Sequence, residues 1–127
     1  KVGAALPLQE EITMLVRGSD TVSGLPRTIE LGTNDLAQAM SRELREMTQA
    51  IRKVLQETPP ELAADIIDNG IMLTGGTSQL RELPELVYRR TGVMAKLAQD
   101  PYYCVAQGTG IALKHLNTYQ KSIIAKK

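Results

Sequence analysis

Apolar residues along this chain form short strand-like runs and one long helical stripe, separated by clusters of glycine, proline and hydroxyl residues. In Glu11–Arg17, Ile12, Met14 and Val16 alternate with Thr13 and Arg17, the two-residue period of a strand with distinct faces. Gly18-Ser19-Asp20 and Ser23-Gly24-Leu25-Pro26 punctuate a turn-rich connection. Thr28–Leu31 reads as the returning strand, so residues 11–31 predict an antiparallel hairpin with a long loop. Gly32-Thr33-Asn34-Asp35 stops that strand and offers Thr33 or Asn34 as a helix N-cap. From Asn34 onward Leu36, Met40, Leu44, Met47, Ile51, Val54 and Leu55 recur at steps of three and four, one stripe of a single long helix. Arg42, Glu43, Arg45, Glu46, Arg52 and Lys53 fall off the stripe, and their alternating signs describe a solvated face.

Thr58-Pro59-Pro60 closes the stripe, and Pro60 with Glu61 starts the next helix. Leu62, Ala63, Ile66 and Ile67 are its expected buried side, and Asn69-Gly70 its left-handed C-terminal cap. Ile71–Thr74 reads as a strand. Beyond Gly75-Gly76, Leu80–Leu83 predicts a short helical turn, Pro84 restarts a helix that ends at Gly92, and Val93–Ala98 is another strand. Asp100-Pro101 opens a last helix carrying Val105, Ile111, Leu113 and Leu116, its early turns interrupted by Gly108 and Gly110. The order helix, strand, helix, strand, helix predicts an α/β layer with parallel strands. The hairpin feeding the long helix reads as a separate small lobe.

Composition narrows the chemistry. A length of 127 residues, 43% hydrophobic and 23% charged, suits one ordinary domain or two small lobes with a real core. A net charge of +1 gives no overall field for nucleic acid or an anionic membrane. The one cysteine, Cys104, excludes an internal disulfide, and with the one histidine, His115, it leaves a zinc site to carboxylates alone. No apolar run approaches the roughly 18 residues of a membrane span, and Lys1-Val2-Gly3-Ala4 lacks a signal-peptide layout. An intracellular, reducing location is the expectation. Aromatic content of 3% leaves little for stacking on single-stranded nucleic acid.

The segment Ile71-Met72-Leu73-Thr74-Gly75-Gly76-Thr77-Ser78-Gln79-Leu80 passes from strand to bare backbone to an apparent helix start. Glycines permit positive φ and let a ligand approach the main chain closely. Amides at a helix start favour anionic or polar groups, and the carboxyl end of a strand in an open α/β sheet is where clefts form. Thr77 and Ser78 add hydroxyls. The plainer reading is a tight turn whose glycines are chosen for φ alone. Neither G-x-x-x-x-G-K-[ST] nor G-x-G-x-x-G is present here.

Leu73-Thr74-Gly75-Gly76-Thr77-Ser78-Gln79-Leu80-Arg81 resembles the adenosine-binding loop of the MreB family of bacterial actin homologues. The resemblance continues in Val16–Asp20 with Ser23–Arg27, in Thr58–Leu62 running through Asp65-Ile66-Ile67 to Gly70, and in Asp100-Pro101, Cys104-Val105-Ala106 and Gly108-Thr109-Gly110. It implies an actin-like (ribonuclease H-like) α/β fold, of which the chain resembles the C-terminal portion. Residues 1–47 resemble subdomain IIB, 48–100 the later part of subdomain IIA, and 101–127 the helix returning to subdomain IA. Gly75, Gly76, Thr77, Ser78 and Gln79 match the loop that approaches the adenosine and phosphates of ATP, bound with Mg2+ in the full-length family. Where the family usually has a third glycine stands Thr77; a β-branched residue resists positive φ, so either the loop geometry differs or that position is not left-handed. The family's phosphate loops and catalytic carboxylate lie upstream of the matching segment, and its adenine-clamping pair falls just before Lys1, so this chain alone is expected not to hydrolyse ATP.

The resemblance further implies a cytoskeletal lobe of an ATP-dependent filament protein that directs cell shape, cytoplasmic and membrane-associated in the full-length family. It implies self-association into filaments, and a RodZ-like partner on the IIA-like lobe, with no nucleic acid. The competing reading is an autonomous nucleotide-binding or sensing α/β domain; a third has the last helix pairing with another copy through Ile111, Leu113 and Leu116. Cys104 reads as a buried inert thiol and His115 as a surface group. Tyr102 and Tyr103 read as packing residues, Asp65 and Asp68 as solvated carboxylates, and the basic end Lys121–Lys127 as a weak lipid contact at most.

Overall fold

A computed structural model describes residues 2–123, with side chains described for residues 2–119. Lys1 and the basic end Lys121–Lys127 lie outside the described side chains. The chain runs β1 (Thr13–Ser19), β2 (Pro26–Gly32), α1 (Thr33–Ala39), α2 (Ser41–Glu57), α3 (Pro60–Asn69), β3 (Ile71–Leu73), a 3-10 turn (Thr77–Gln79), α4 (Leu83–Thr91), β4 (Ala95–Leu97), α5 (Cys104–Lys114) and α6 (Leu116–Ile123).

β1 and β2 pair antiparallel from Thr13↔Gly32 to Ser19↔Pro26. The register sets Met14 opposite Leu31 and Val16 opposite Ile29, so the predicted alternation becomes two apolar cross-strand pairs on one face. Asp20 organises the connecting loop. Its carboxylate accepts from the amides of Val22 and Ser23, from the Ser23 hydroxyl, and from the Arg27 guanidinium at 3.2 Å. The Ser23 amide and then its hydroxyl do most to hold Asp20 below the ordinary carboxylate value of 3.8, helped by the Val22 amide and Arg27. A lowered folded-state value stabilises the loop above the unfolded value, and that stability is lost as pH falls through the folded one. The Val22 and Ser23 amide resonances are therefore expected to titrate together with a midpoint below 3.8. A midpoint at or above that value would contradict the arrangement.

Helix α1 begins without the predicted cap. Its N-cap is Gly32, and no side chain of the cap residue closes it. Instead the Thr33 amide and hydroxyl both donate to the Ile12 carbonyl, and the Asn34 amide donates to Glu11 Oε1 at 3.2 Å. Asn34 turns its own oxygen outward from the helix, accepting from the Leu8 amide at 3.0 Å. Thr33 is fully buried by this arrangement. The single long helix of the sequence reading is two helices, α1 and α2, meeting at Met40 with φ −85° and ψ −2°. Main-chain hydrogen bonding runs on through the joint, Met40 to Leu36 and Leu44 to Met40, so the break is a bend in one stripe.

The core gathers Ala5, Leu44, Leu83 and Leu86, with Leu6, Met40, Met47, Leu73 and Leu80 packed against it. Leu44, Met40 and Met47 come from the predicted stripe, whereas Val54 is exposed. Thr48 is buried on the same side, its hydroxyl donating to the carbonyls of Leu44 and Arg45. Val2, Ala4 and Ala5 are buried as well, because residues 2–6 run beside the exit of the glycine turn: Ala4 bridges Arg81, and the Ala5 amide donates to the Arg81 carbonyl at 2.7 Å.

β3 and β4 pair in parallel, Ile71↔Ala95 through Leu73↔Leu97, as the α/β order predicts. The strands are shorter than the predicted Ile71–Thr74 and Val93–Ala98, and α4 lies between them as the crossover. Gly92, with φ 76°, caps α4 and accounts for its predicted end. Three helix expectations are corrected. α3 buries none of its residues, and Leu62 and Ile67 are 55% and 62% exposed. α5 runs straight through Gly108 and Gly110, and the interruption comes at His115, which separates α5 from α6. It also starts at Cys104, three residues after Pro101, with Asp100 at φ 50° shaping the turn before it.

Candidate functional site

The strand β3 ends at Leu73, and the chain then crosses Thr74, Gly75 and Gly76 before a single 3-10 turn. Only Gly75 of this segment has positive φ, at 85°, and a Cβ built there would meet open space. Gly76 sits at φ −64° and ψ −42°, where any residue is at ease. Its smallness serves a close approach instead: a Cβ at Gly76 would lie 2.9 Å from the phenolic oxygen of Tyr102. Gly75 is thus required by conformation, whereas Gly76 leaves room for the Tyr102 ring beside the turn.

The turn is tied down from two sides. The Gly75 amide donates to the Pro101 carbonyl at 2.8 Å, anchoring it to the segment after β4. The Ser78 hydroxyl donates to the Gly75 carbonyl at 2.6 Å, and Ser78 is buried. Ser78 therefore braces the loop from inside, while Thr74, Gly76, Thr77 and Gln79 are exposed. Ser78→Ala is expected to cost about 1 kcal/mol, the net worth of a buried neutral hydrogen bond. Comparison of urea midpoints at unchanged m-value checks this; no change would show that the hydroxyl does not hold the turn.

The helix start expected directly after the glycines is not there. Thr77–Gln79 is one 3-10 turn, Leu80–Arg81 is extended beside residues 4 and 5, and α4 begins only at Leu83 behind the left-handed Glu82. The predicted helical turn at Leu80–Leu83 is displaced to Thr77–Gln79. A turn this short aligns too few peptide dipoles to attract an anion, so what this site offers is exposed main chain and the side chains around it. Thr77 adopts the 3-10 conformation, so its β-branch conflicts with nothing.

Tyr102 was missed as a neighbour of this site. Tyr102 is 70% exposed and Tyr103 66%, against the packing roles expected for both. The signal was available only in part: Asp100-Pro101 marks a turn, but the return of that turn onto Gly76 follows from the parallel β3–β4 pairing. Cys104 is half-buried, not enclosed, and its thiol lies 3.4 Å from the Gln99 carbonyl. Asp65, Asp68 and His115 are exposed. Among the described residues no group of three or more His, Cys, Asp or Glu side chains is placed to hold a metal ion, and no helix is long and apolar enough to cross a membrane.

Comparison with known proteins bears on this arrangement directly. Residues 1–121 match the MreB/Mbl protein family. The chain is 40% identical over 121 residues to the cell shape-determining protein Mbl of Bacillus cereus, covering 95% of this chain and 36% of that protein. It is 35% identical over 127 residues to the cell shape-determining protein MreB of Escherichia coli K12, covering all of this chain and 37% of the relative. Among solved structures it is similar to MreB5 of Spiroplasma citri bound to ADP, with a TM-score of 0.84, 29% identity, and coverage of 94% of this chain and 36% of the other. The AMPPNP-bound form of MreB5 gives a TM-score of 0.84, 28% identity, and coverage of 97% and 37%. The chain thus spans a little over a third of the length of these relatives. Parallel β3–β4 pairing, the glycine turn at its carboxyl end and the hairpin lobe are accordingly parts of an actin-like α/β fold, and the chain belongs to the MreB/Mbl family.

Proposed function

We propose that this chain is the nucleotide-contacting lobe of an ATP-dependent, actin-like filament protein that directs cell shape. The observation that carries the reading is the Gly75-Gly76 turn at the carboxyl end of a parallel strand, with Gly76 exposed, open space at the Cβ position of Gly75, and Ser78 and Pro101 bracing it. One structural relative, MreB5 of Spiroplasma citri, is bound to ADP in one structure and to AMPPNP in another. Apart from the adjoining residues, no atom stands within 4 Å of the space a Cβ at Gly75 would take, which leaves room for a nucleotide to approach the backbone there. In this reading Gly75, Gly76 and Thr77 contact the adenosine, Gln79 lies at the edge of the site, and Ser78 holds the turn in shape.

ATP with Mg2+ supplies the energy of assembly when bound. The chain's own residues bind and orient the nucleotide; the metal-positioning and water-activating groups of phosphoryl transfer are assigned to residues outside 1–127. Residues 1–47 correspond to subdomain IIB, 48–100 to the later part of subdomain IIA, and 101–127 to the return to subdomain IA. Filament contacts are head-to-tail between copies, a heterologous arrangement that stays open, and a RodZ-like cytoplasmic protein docks on the 48–100 lobe beneath the membrane. High-speed sedimentation of the full-length protein tests this. Pelleting is expected to rise with ATP and to lose that response in Gly76→Val; pelleting indifferent to nucleotide would sink the proposal.

A further inference from the structure

A groove of about 490 Å³, away from the glycine turn, is bounded by residues 5–7, α1, α2 and α4. Its floor is apolar, made by the buried side chains of Ala5, Leu44 and Leu86. Its walls carry Arg45 from α2 and Arg90 from α4, and no carboxylate lines it. A second hollow lies further along α2, lined by Arg52, Leu55 and Gln56 with Thr91, again with no acidic residue.

The arginines of these two helices divide into two sets. Arg42 is paired with Glu46 at 3.0 Å and Arg89 with Glu85 at 2.7 Å, each one turn away on its own helix. Arg45, Arg52 and Arg90 form no ion pair among the described residues. Arg45 and Arg90, which line the groove, and Arg52, which lines the second hollow, are the set left without a counter-charge. Arg45 and Arg52 are seven residues apart, two turns and about 10 Å along the axis at about 1.5 Å per residue.

We infer that this groove is a docking site for an acidic amphipathic helix of a partner protein. A groove with an apolar floor receives an amphipathic helix by its apolar face, here between α2 and α4 on one side and Leu6, Pro7 and α1 on the other. Carboxylates two turns apart on that helix meet Arg45 and Arg52, and Arg90 meets it from α4. Guanidinium groups suit this role because their planar fork takes a carboxylate bidentately. Rim charges of this kind act on encounter and on register, so binding weakens with salt.

Fluorescence anisotropy with the full chain tests this. The probe is a fluorescein-labelled helical peptide with leucines on one face and glutamates two turns apart beside them; its lysine-for-glutamate counterpart is the control. The glutamate peptide is expected to bind, to weaken as salt is raised, and to lose at least about tenfold in affinity in the Arg45→Glu/Arg90→Glu variant. The Arg42→Glu/Arg89→Glu variant, which changes the paired arginines outside the groove, is expected to bind as the parent does. All four positions are exposed, and matching thermal melts establish that the variants fold. Absence of binding, equal loss in both variants, or equal binding of the lysine peptide would overturn the inference. So would binding of phosphatidylglycerol vesicles with none of the peptide, which would make the groove a lipid contact.

Discussion

Replacing Gly70 by alanine is expected to lower the stability of this protein by about 3 kcal/mol. Gly70 has φ 82° and ψ −175°, a region open in practice only to glycine. Strain of that kind costs of order 1–3 kcal/mol by itself. The added Cβ would also stand 2.7 Å from the Met94 carbonyl oxygen, and that oxygen accepts the hydrogen bond from the Ile71 amide that opens the β3–β4 pairing. Main chain cannot swing aside as a side chain can, so the clash displaces the first rung of the parallel pair. Urea unfolding of Gly70→Ala beside Gly92→Ala separates the causes. Gly92 also has positive φ but open space at its Cβ, so it should lose only the smaller cost of a left-handed alanine, about 1–2 kcal/mol. Equal losses at the two sites would mean that Met94 gives way.

Gly76→Val is expected to abolish most nucleotide affinity, at least about tenfold in Kd, while leaving the fold intact. Gly76 lies at negative φ, so valine suits the backbone. The atoms in its way are the end of the exposed Tyr102 side chain, which turns outward at little cost. A stable protein with a blocked main chain is therefore the predicted outcome, seen as lost heat in ATP calorimetry at an unchanged melting temperature. Thr77→Gly should do the reverse of a repair. The 3-10 conformation at Thr77 needs no glycine, so affinity is expected to stay within about twofold and stability to fall by up to about 1 kcal/mol from added unfolded-state entropy. Unchanged affinity in Gly76→Val would remove the glycine turn from the binding site.

Local patterns in the sequence carried the parts of the fold that depend on near neighbours. Alternation at Ile12, Met14 and Val16 located the hairpin, and Thr58-Pro59-Pro60 and Gly92 located helix ends, because capping and φ restrictions act within a turn or two of the residue. What failed depended on contacts across the chain. The start of α1 is closed by Glu11 and Ile12 through tertiary hydrogen bonds, which no capping rule at Thr33 or Asn34 anticipates. Residues 2–6 went unassigned, although Val2, Ala4 and Ala5 are buried, since a short extended segment beside Arg81 has no period of its own. Leu62 and Ile67 were assigned to a buried face by spacing alone, and in this chain nothing covers them among the described residues. At the candidate site, Gly75 and Gly76 were legible as a pair but not in their separate duties. The duty of Gly76 is set by Tyr102, brought across by the β3–β4 crossover.

The central claim is that the Gly75-Gly76 turn touches the nucleotide, and photolabelling with 8-azido-ATP tests it most directly. On the full-length protein the account predicts an adduct within Thr74–Arg81 or on Tyr102, suppressed by excess ATP. An ATP-suppressed adduct confined to other segments would contradict it, and would leave the glycine turn as a tight connection between strand and helix.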